Sequence, residues 1–344
     1  MTGFWAGRRV LITGHTGFKG AWLIKWLDML GAHTMGYALP SDTTGVFDKM
    51  RFSNLEKNVY ANVCDRALLI KTVRQFEPEV VFHLAAQAIV GIARENPVQT
   101  FETNLMGTVN LLEAIKITKS VRAVVVVTSD KVYENFETTE PYKENARFGG
   151  DEPYAASKAC AELAVCAYRN VILSSEIGIA TARAANVYGG GDLHFDRLIP
   201  YLIQSKLNGT VANIRNPDSV RPWQHVLSPL YGYLLLAQSV FAQPDAFSEG
   251  FNFGPPANEM ITVSQLSAMI TGYAEAKDPI SVRNEAGLLL IDSAKSQKRL
   301  GWRPVFSMHQ GLMDTTEFYR SLFQGEDVNV LMENCIAAAG VNLS

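Results

Sequence analysis

Short apolar runs with no polar alternate recur through the first half of the chain: Arg9-Val-Leu-Ile-Thr13, His33 to Leu39, Glu79-Val-Val-Phe-His83, Val121 to Val127 and Glu176 to Arg183. Runs of this kind predict strands buried on both faces. Between them the apolar positions fall at helical spacing. Leu68, Leu69, Val73 and Phe76 mark a helix over 65–76, and Phe101, Leu105, Val109, Leu112 and Ile115 mark a longer one from Pro97 to about Thr118. Further helices are predicted after the first strand, as far as Leu30, and from Pro153 to Tyr168. Strand and helix alternate over about the first 185 residues, which predicts an α/β fold with a doubly wound parallel sheet.

From Asn186 onward the rhythm breaks into polar loops, an arginine-rich section and several short helices. This part is predicted to form a smaller C-terminal substrate-binding lobe over 187–224 and 257–344, set against a cofactor domain over 1–186. The chain is expected to rejoin the sheet near His225 and Phe251, within 225–256. A length of 344 residues accommodates one large α/β domain or two smaller ones sharing a cleft.

Composition narrows the class. Hydrophobic residues make up 47% of the chain and charged ones 19%, as in a soluble globular enzyme. A net charge of −3 without a basic stripe speaks against a general nucleic-acid binder. No apolar run approaches the length that spans a bilayer, and Met1 to Val10 is too short and polar for a signal peptide. A cytoplasmic protein without membrane contact is therefore expected. Cys64, Cys160, Cys166 and Cys335 have neither CxxC spacing nor a nearby histidine pair, so reduced thiols and no metal site are expected.

Gly14-His-Thr-Gly17-Phe-Lys-Gly20 joins the first strand to the first helix. Glycines there permit a tight turn and let backbone N–H groups approach a pyrophosphate at the helix N-terminus. A dinucleotide on a Rossmann-type sheet is therefore expected at Gly14, Thr16, Gly17, Phe18, Lys19 and Gly20. A plain strand-to-helix turn is the alternative. The end of the second strand usually decides between NAD and NADP. Tyr37-Ala-Leu-Pro-Ser-Asp42 offers neither an acid nor an arginine at the usual place, and the lack of a basic residue points to NAD. Asn62 and Val63, after the third strand, are placed to face the adenine.

The apolar run Val124 to Val127 ends in Thr128-Ser129-Asp130-Lys131, and Tyr154 and Lys158 follow one helical turn apart. Twelve tyrosines make a YxxxK spacing common by chance, so its weight comes from position, at a helix start after the strand that ends in Ser129. A tyrosine base needs its pKa brought from about 10 towards neutrality, which takes roughly 4 kcal/mol. An ammonium one turn away and the positive ring of an oxidised nicotinamide are the expected sources. Ser129 is placed to hydrogen-bond the same substrate oxygen. Asp130 and Lys131 exceed what an alcohol dehydrogenase needs, which suggests that a proton and a leaving group move as well as a hydride; solvated strand-end residues are the alternative.

These segments resemble the nucleotide-sugar branch of the extended short-chain dehydrogenases/reductases, and within it the CDP-glucose 4,6-dehydratases. The glycine turn, with the GxxGxxG spacing of that superfamily, is joined by His83-Leu-Ala-Ala-Gln87, Thr103-Asn-Leu-Met-Gly-Thr108, Tyr133-Glu-Asn135, Asn186-Val-Tyr-Gly-Gly-Gly-Asp192, Asp196-Arg-Leu-Ile-Pro200 and Arg215 to His225. The resemblance implies a redox-neutral dehydration that regenerates its own NAD. Tyr154 would take the 4-OH proton as C4 gives up hydride, Lys131 the C5 proton, and Asp130 would protonate the departing 6-OH. Leu84, Ala85, Ala86, Gln87, Asn104 and Thr128 would join Tyr154 and Lys158 around the cofactor. Gln87, Asn186, Arg197, Leu198, Arg215, Arg221, His225 and Arg283 would hold the nucleotide diphosphate sugar. A homodimer through a four-helix bundle of the helices near 97–118 and 153–168 is also implied. One segment departs: where the family usually carries Pro-Leu-Val-Arg, this chain has Ala88-Ile-Val-Gly91, which leaves the sugar and nucleotide open. A 4-epimerase and a non-catalytic NAD(H) sensor are the competing readings.

Overall fold

A computed structural model of the chain describes residues 2–41, 45–194, 197–214, 216–273 and 287–341. The five apolar runs become strands β1 (Arg9–Thr13), β2 (His33–Ala38), β4 (Val80–His83), β5 (Ala123–Val127) and β6 (Gly178–Ala184), and the mixed segment Leu55–Tyr60 adds β3. Short strands β7 (Asn186–Tyr188), β8 (Val220–Arg221) and β9 (Trp223–His225) follow, then β10 (Gly250–Phe253) and β11 (Ile261–Thr262). Seven of them form one sheet in the order β10-β6-β5-β4-β1-β2-β3. Every pairing in it is parallel. This is the doubly wound α/β arrangement, and the order reverses between β1 and β4, where such sheets place their ligand crevice.

Burial on both faces follows from the strand sequences. Val10, Ile12, Val125, Val127, Ala180 and Ala182 pack with Trp22, Trp26, Leu230 and Leu234 on one face. Leu11, Val81, Val124, Val126 and Ile179 pack with Leu69, Val73, Leu112 and Val165 on the other. The helix Arg66–Phe76 starts at Asp65, whose side chain accepts from Leu68 N. Residues 97–116 form one continuous helical run, with a π-helical segment at Glu102–Met106; such segments recur at functional sites.

The second half is more helical than its sequence suggests. Instead of only short helices it contains Leu227–Ala242 and Met308–Phe323, each of 16 residues. The main sheet is regained at β10, which pairs with β6; His225 lies in β9, which pairs with β7 in a separate two-stranded sheet. A third apolar cluster joins Ile199, Leu202 and Ile203 to Leu266, Ile270 and Leu312. The C-terminal helix Val328–Ala338 leaves that cluster, and its Met332 and Ile336 join the sheet core around Trp22 and Trp26. Among the described residues no helix is long and apolar enough to cross a membrane.

Candidate active site

The chemistry-bearing residues converge at the carboxyl ends of β1, β4, β5 and β6. After β1 the chain turns at Gly14, φ +71°, and a Cβ there would lie 2.6 Å from Ala85 N. A Cβ on Gly20 would lie 2.1 Å from Gly14 O. Only glycine lets the turn, the β4 end and the start of the Phe18–Met29 helix approach this closely. The cradle suits a dinucleotide pyrophosphate at the helix N-terminus. Thr16 donates to Leu39 O at 2.9 Å, which ties the turn to the end of β2. Phe18 opens the helix after Gly17, and Asn62 and Val63 follow β3, Asn62 exposed and Val63 buried.

A chain of hydrogen bonds holds the β1 and β4 ends together. Thr13 Oγ1 accepts from Ala85 N at 3.2 Å and pairs with His83 Nδ1 at 2.7 Å. His83 Nε2 meets Thr108 Oγ1 at 3.0 Å, and Thr108 donates to Asn104 O at 2.7 Å. Burial, reinforced by Lys158, pushes His83 down to about 3, so the imidazole is neutral with its proton on Nε2. Asn104, in the π-helical segment, accepts from Gln87 N at 2.7 Å and donates to Gln87 O at 3.0 Å and Ser157 Oγ at 2.8 Å. Asn104 thus ties Gln87, which follows the half-buried Leu84-Ala85-Ala86 stretch, to Ser157.

Beyond β5, Ser129 caps a single turn of 3₁₀ helix, Asp130–Val132, by accepting from Lys131 N at 3.2 Å, and donates to Asp130 Oδ1 at 3.0 Å. Asp130 is buried, and that burial raises its pKa against the opposing pull of Lys131, Ser129, Arg221 and Lys19. Its Oδ2 has no hydrogen-bond partner. Burial of this kind favours the protonated form, from which a carboxyl can donate. Glu152 caps the helix Pro153–Ala167, accepting from Tyr154 N and Ala155 N at 2.9 Å each. Lys158 donates to Val127 O at 2.9 Å.

The acid–base pair is inverted from the expected order. Burial raises Tyr154 to about 12, with the Ser129 hydroxyl pulling the other way. Burial and Lys19 lower Lys158 to about 7, opposed by Glu162. Lys158 is therefore neutral where the phenol ionises and lends it no charge in this state.

Around this centre, Lys19 is lowered to about 8 by burial and by Arg197, with Asp130 opposing. Arg197 Nη1 also pairs with Asp192 Oδ2 at 2.7 Å, and Leu198 opens the helix Leu198–Leu207. Arg221 donates to Val220 O at 2.9 Å and Gly287 O at 3.3 Å. Asn186 begins β7 opposite Trp223. Arg215 and Arg283, like Asp42, lie outside the described residues. Thr128 donates its hydroxyl to Glu162 Oε1 at 2.6 Å. One expectation is corrected. His225 is buried against Trp22, Tyr188 and Phe306, its Nε2 3.3 Å from Asp314 Oδ2, so it joins elements in the core instead of facing substrate.

Sequence reading did not single out Glu162, Ser157 or Tyr233. Tyr233 is fully buried, its hydroxyl has no partner, and burial raises its pKa, with Tyr154 and Asp130 adding to the shift. Glu162 carried a legible signal, a carboxylate one turn beyond Lys158 in an otherwise apolar helix.

The model of the family described as GDP-mannose 4,6 dehydratase matches residues 11–315. The chain belongs to that family. The CDP-glucose 4,6-dehydratase of Salmonella typhimurium is 41% identical over 337 residues, which cover 94% of each chain. A UDP-glucose 4-epimerase of Mycoplasma pneumoniae is 26% identical over 342 residues, 92% of this chain and 97% of its own. Among solved structures, dTDP-glucose 4,6-dehydratase from Bacillus anthracis in complex with NAD superposes with a TM-score of 0.78 at 22% identity, covering 93% of this chain and 98% of that one. It shares the fold. Gly91, at the family's usual arginine, lies in the short helix Val90–Glu95, and a Cβ there meets nothing within 4 Å.

Asp130 carries a prediction. A carboxyl whose folded pKa is raised favours folding below its ordinary range, and that contribution is lost as pH rises through the folded value. Asp130→Asn should therefore raise the melting temperature by a few degrees at neutral and alkaline pH. The gain should vanish on acidification to about pH 4. Thermal unfolding across pH measures it.

Proposed function

We propose that this dehydratase-family chain converts CDP-glucose to CDP-4-keto-6-deoxyglucose, with NAD recycled within each turnover. The observation that carries the reading is Asp130, a buried carboxyl with a raised pKa and one unpartnered oxygen, flanked by Ser129 and Lys131 in the same site as Tyr154. A 4-epimerase uses the phenol and the cofactor and has no need of a second, protonated acid. The 41% identity to a CDP-glucose 4,6-dehydratase supports the choice of nucleotide and sugar.

Gly14, Thr16, Gly17, Phe18, Lys19 and Gly20 hold the pyrophosphate, Asn62 and Val63 the adenine end, and Leu84 to Gln87 the edge beside β4. When bound, the cofactor would supply hydride uptake from C4 and its return to C6 after water is lost, with the proton held by Lys131 going back to C5, so the reaction as a whole is redox-neutral. Tyr154 takes the proton of the sugar 4-hydroxyl, with Ser129 hydrogen-bonded to the same oxygen. The C4 ketone acidifies the C5 proton, which Lys131 removes. Asp130 gives its proton to the 6-hydroxyl, which leaves as water. Asn186, Arg197 and Arg221, with Arg215 and Arg283, hold the diphosphate, since fixed guanidinium groups match its oxygens. The sugar sits between the cofactor lobe, 1–186 with 225–256, and the cluster built on the Leu198–Leu207 and Val263–Thr271 helices. We place the reaction in the cytoplasm, where the four free thiols persist.

Two copies pairing through a four-helix bundle is the assembly we propose. The helical runs over 97–116 and 153–172 pack side by side. Val98 and Met106, eight residues apart, are 70% and 47% exposed, and Leu163 and Val171, at the same interval, are 57% and 83% exposed. An outward apolar stripe on neighbouring helices marks an association face.

Incubation with NAD and CDP-, GDP-, dTDP- and UDP-glucose should give loss of one water from CDP-glucose by mass spectrometry. An isomer of unchanged mass would indicate epimerisation, and NAD binding without turnover a sensor. Tyr154→Phe should abolish oxidation at C4, whereas Lys131→Ala should slow elimination by about 10²-fold or more and spare C4 oxidation. Equal loss of both steps in Lys131→Ala refutes its assignment. Leu163→Glu should shift the protein from dimer to monomer in light scattering.

A further inference from the structure

Glu162 is 3% exposed and makes four hydrogen bonds, to Thr128 Oγ1 (2.6 Å), Thr181 Oγ1 (2.7 Å), Arg183 Nε (2.8 Å) and Arg183 Nη2 (2.9 Å). It stands one turn beyond Lys158 on the helix Pro153–Ala167. Thr128 follows Val127, whose carbonyl accepts from Lys158. Two successive turns of this helix are thus bolted to two successive residues at the end of β5, one through an ammonium and one through a carboxylate. Arg183 extends the link to Tyr133 Oη and Glu144 O, both at 2.9 Å, and Tyr133 donates to Asn252 Oδ1 at 2.6 Å. The loop that follows Lys131 is thereby tied to the same carboxylate.

We propose that Glu162 is a positioning residue of the reaction: it fixes Lys158 on the β5 end and favours the ammonium over the neutral amine there. The inference rests on the reading of Tyr154 and Lys158 as the acid–base pair.

The charges that Lys158 faces decide the matter. Lys19, at the glycine turn, opposes its protonation. His83, on β4, is neutral. Burial favours the neutral form of Asp130, and Tyr154 is a neutral phenol. Glu162 supplies the anion that favours the ammonium. Arg183 neutralises the far side of the carboxylate and is held over the Tyr133 and Phe148 rings. The pair Tyr154–Lys158 shares one proton near neutral pH, and an anion beside the lysine favours the arrangement in which the amine holds it and the phenol is ionised. Glu144 accepts from Asn252 N at 2.9 Å, so its carboxylate is directed away from the lysine.

The test compares Glu162→Gln with Glu162→Asp in the full-length, NAD-loaded enzyme. In Glu162→Gln the acidic limb of kcat/KM should move to lower pH by about one unit, with about tenfold loss on the plateau above it, because the form with the proton on Lys158 is depleted. Glu162→Asp keeps the charge and should leave the limb near that of the wild type. Equal loss at every pH in both variants overturns the proposal and leaves Glu162 a packing group. Should Glu162→Gln fail to fold because Arg183 is left unpaired, Glu162→Gln with Arg183→Met removes the orphaned cation and takes its place. A readout independent of turnover is the NMR titration of isotope-labelled Lys158. Its pKa should fall in the glutamine variant, and an unchanged value overturns the proposal even if the wild type dehydrates no sugar tested.

Discussion

Desolvation at the carboxyl edge of the sheet governs this molecule. An uncompensated charge taken out of water costs several kcal/mol, yet Asp130, Lys158, Glu162 and Arg183 are all buried within a few residues of the ends of β5 and β6. Each is resolved differently. Glu162 and Arg183 stay charged by pairing with each other. Lys158 sheds much of its charge, lowered to about 7. Asp130 is pushed towards its neutral form. Burial thus creates groups that can exchange protons near neutrality, and the paired ions behind them hold the backbone in register.

That arrangement links fold to site. Parallel strands with crossover helices deliver the ends of β1, β4, β5 and β6 to one edge. The helices then need fixing against that edge. Apolar packing fixes the distance of the helix Pro153–Ala167 from the sheet through Val165. It does not fix sliding along the strand. Lys158 to Val127 O and Glu162 to Thr128, Thr181 and Arg183 do, because a hydrogen bond at 2.6–2.9 Å tolerates little displacement. Asn104 does the same for the neighbouring helix through Gln87 and Ser157.

Legibility in the sequence followed how local each signal was. The buried strands showed as unbroken apolar runs, and the glycine turn showed because Gly14 and Gly20 have no room for a Cβ. Ser129, Asp130, Lys131, Tyr154 and Lys158 lie in two short segments whose spacing carried their meaning. The helix Leu227–Ala242 was hidden, since burial around most of its surface erases the periodicity that marks a helix. His225 was misplaced for a related reason. It stands beside candidate site residues in sequence, but its side chain turns to Asp314, 89 residues away. Tyr233 required the fold, because what makes it notable is the company that tertiary structure gives it, whereas the partners of Glu162, not its presence in the helix, were what the sequence hid.

The inverted pair, phenol at about 12 and ammonium at about 7, is informative about timing. A tyrosine ionised at rest would be a standing base in a buried site, charged and unpaired. Here the phenol stays neutral until positive charge reaches it, and Arg197 already lowers it in part. Of the other nearby cations, Lys19 sits in the glycine turn, where a bound pyrophosphate would meet it. Neutralising Lys19 relieves the repulsion that it exerts on Lys158, and the ammonium is then favoured by Glu162. On the proposed reading, an anion in the glycine turn and the protonation of Lys158 would be coupled through Lys19, with Glu162 setting the direction of the change.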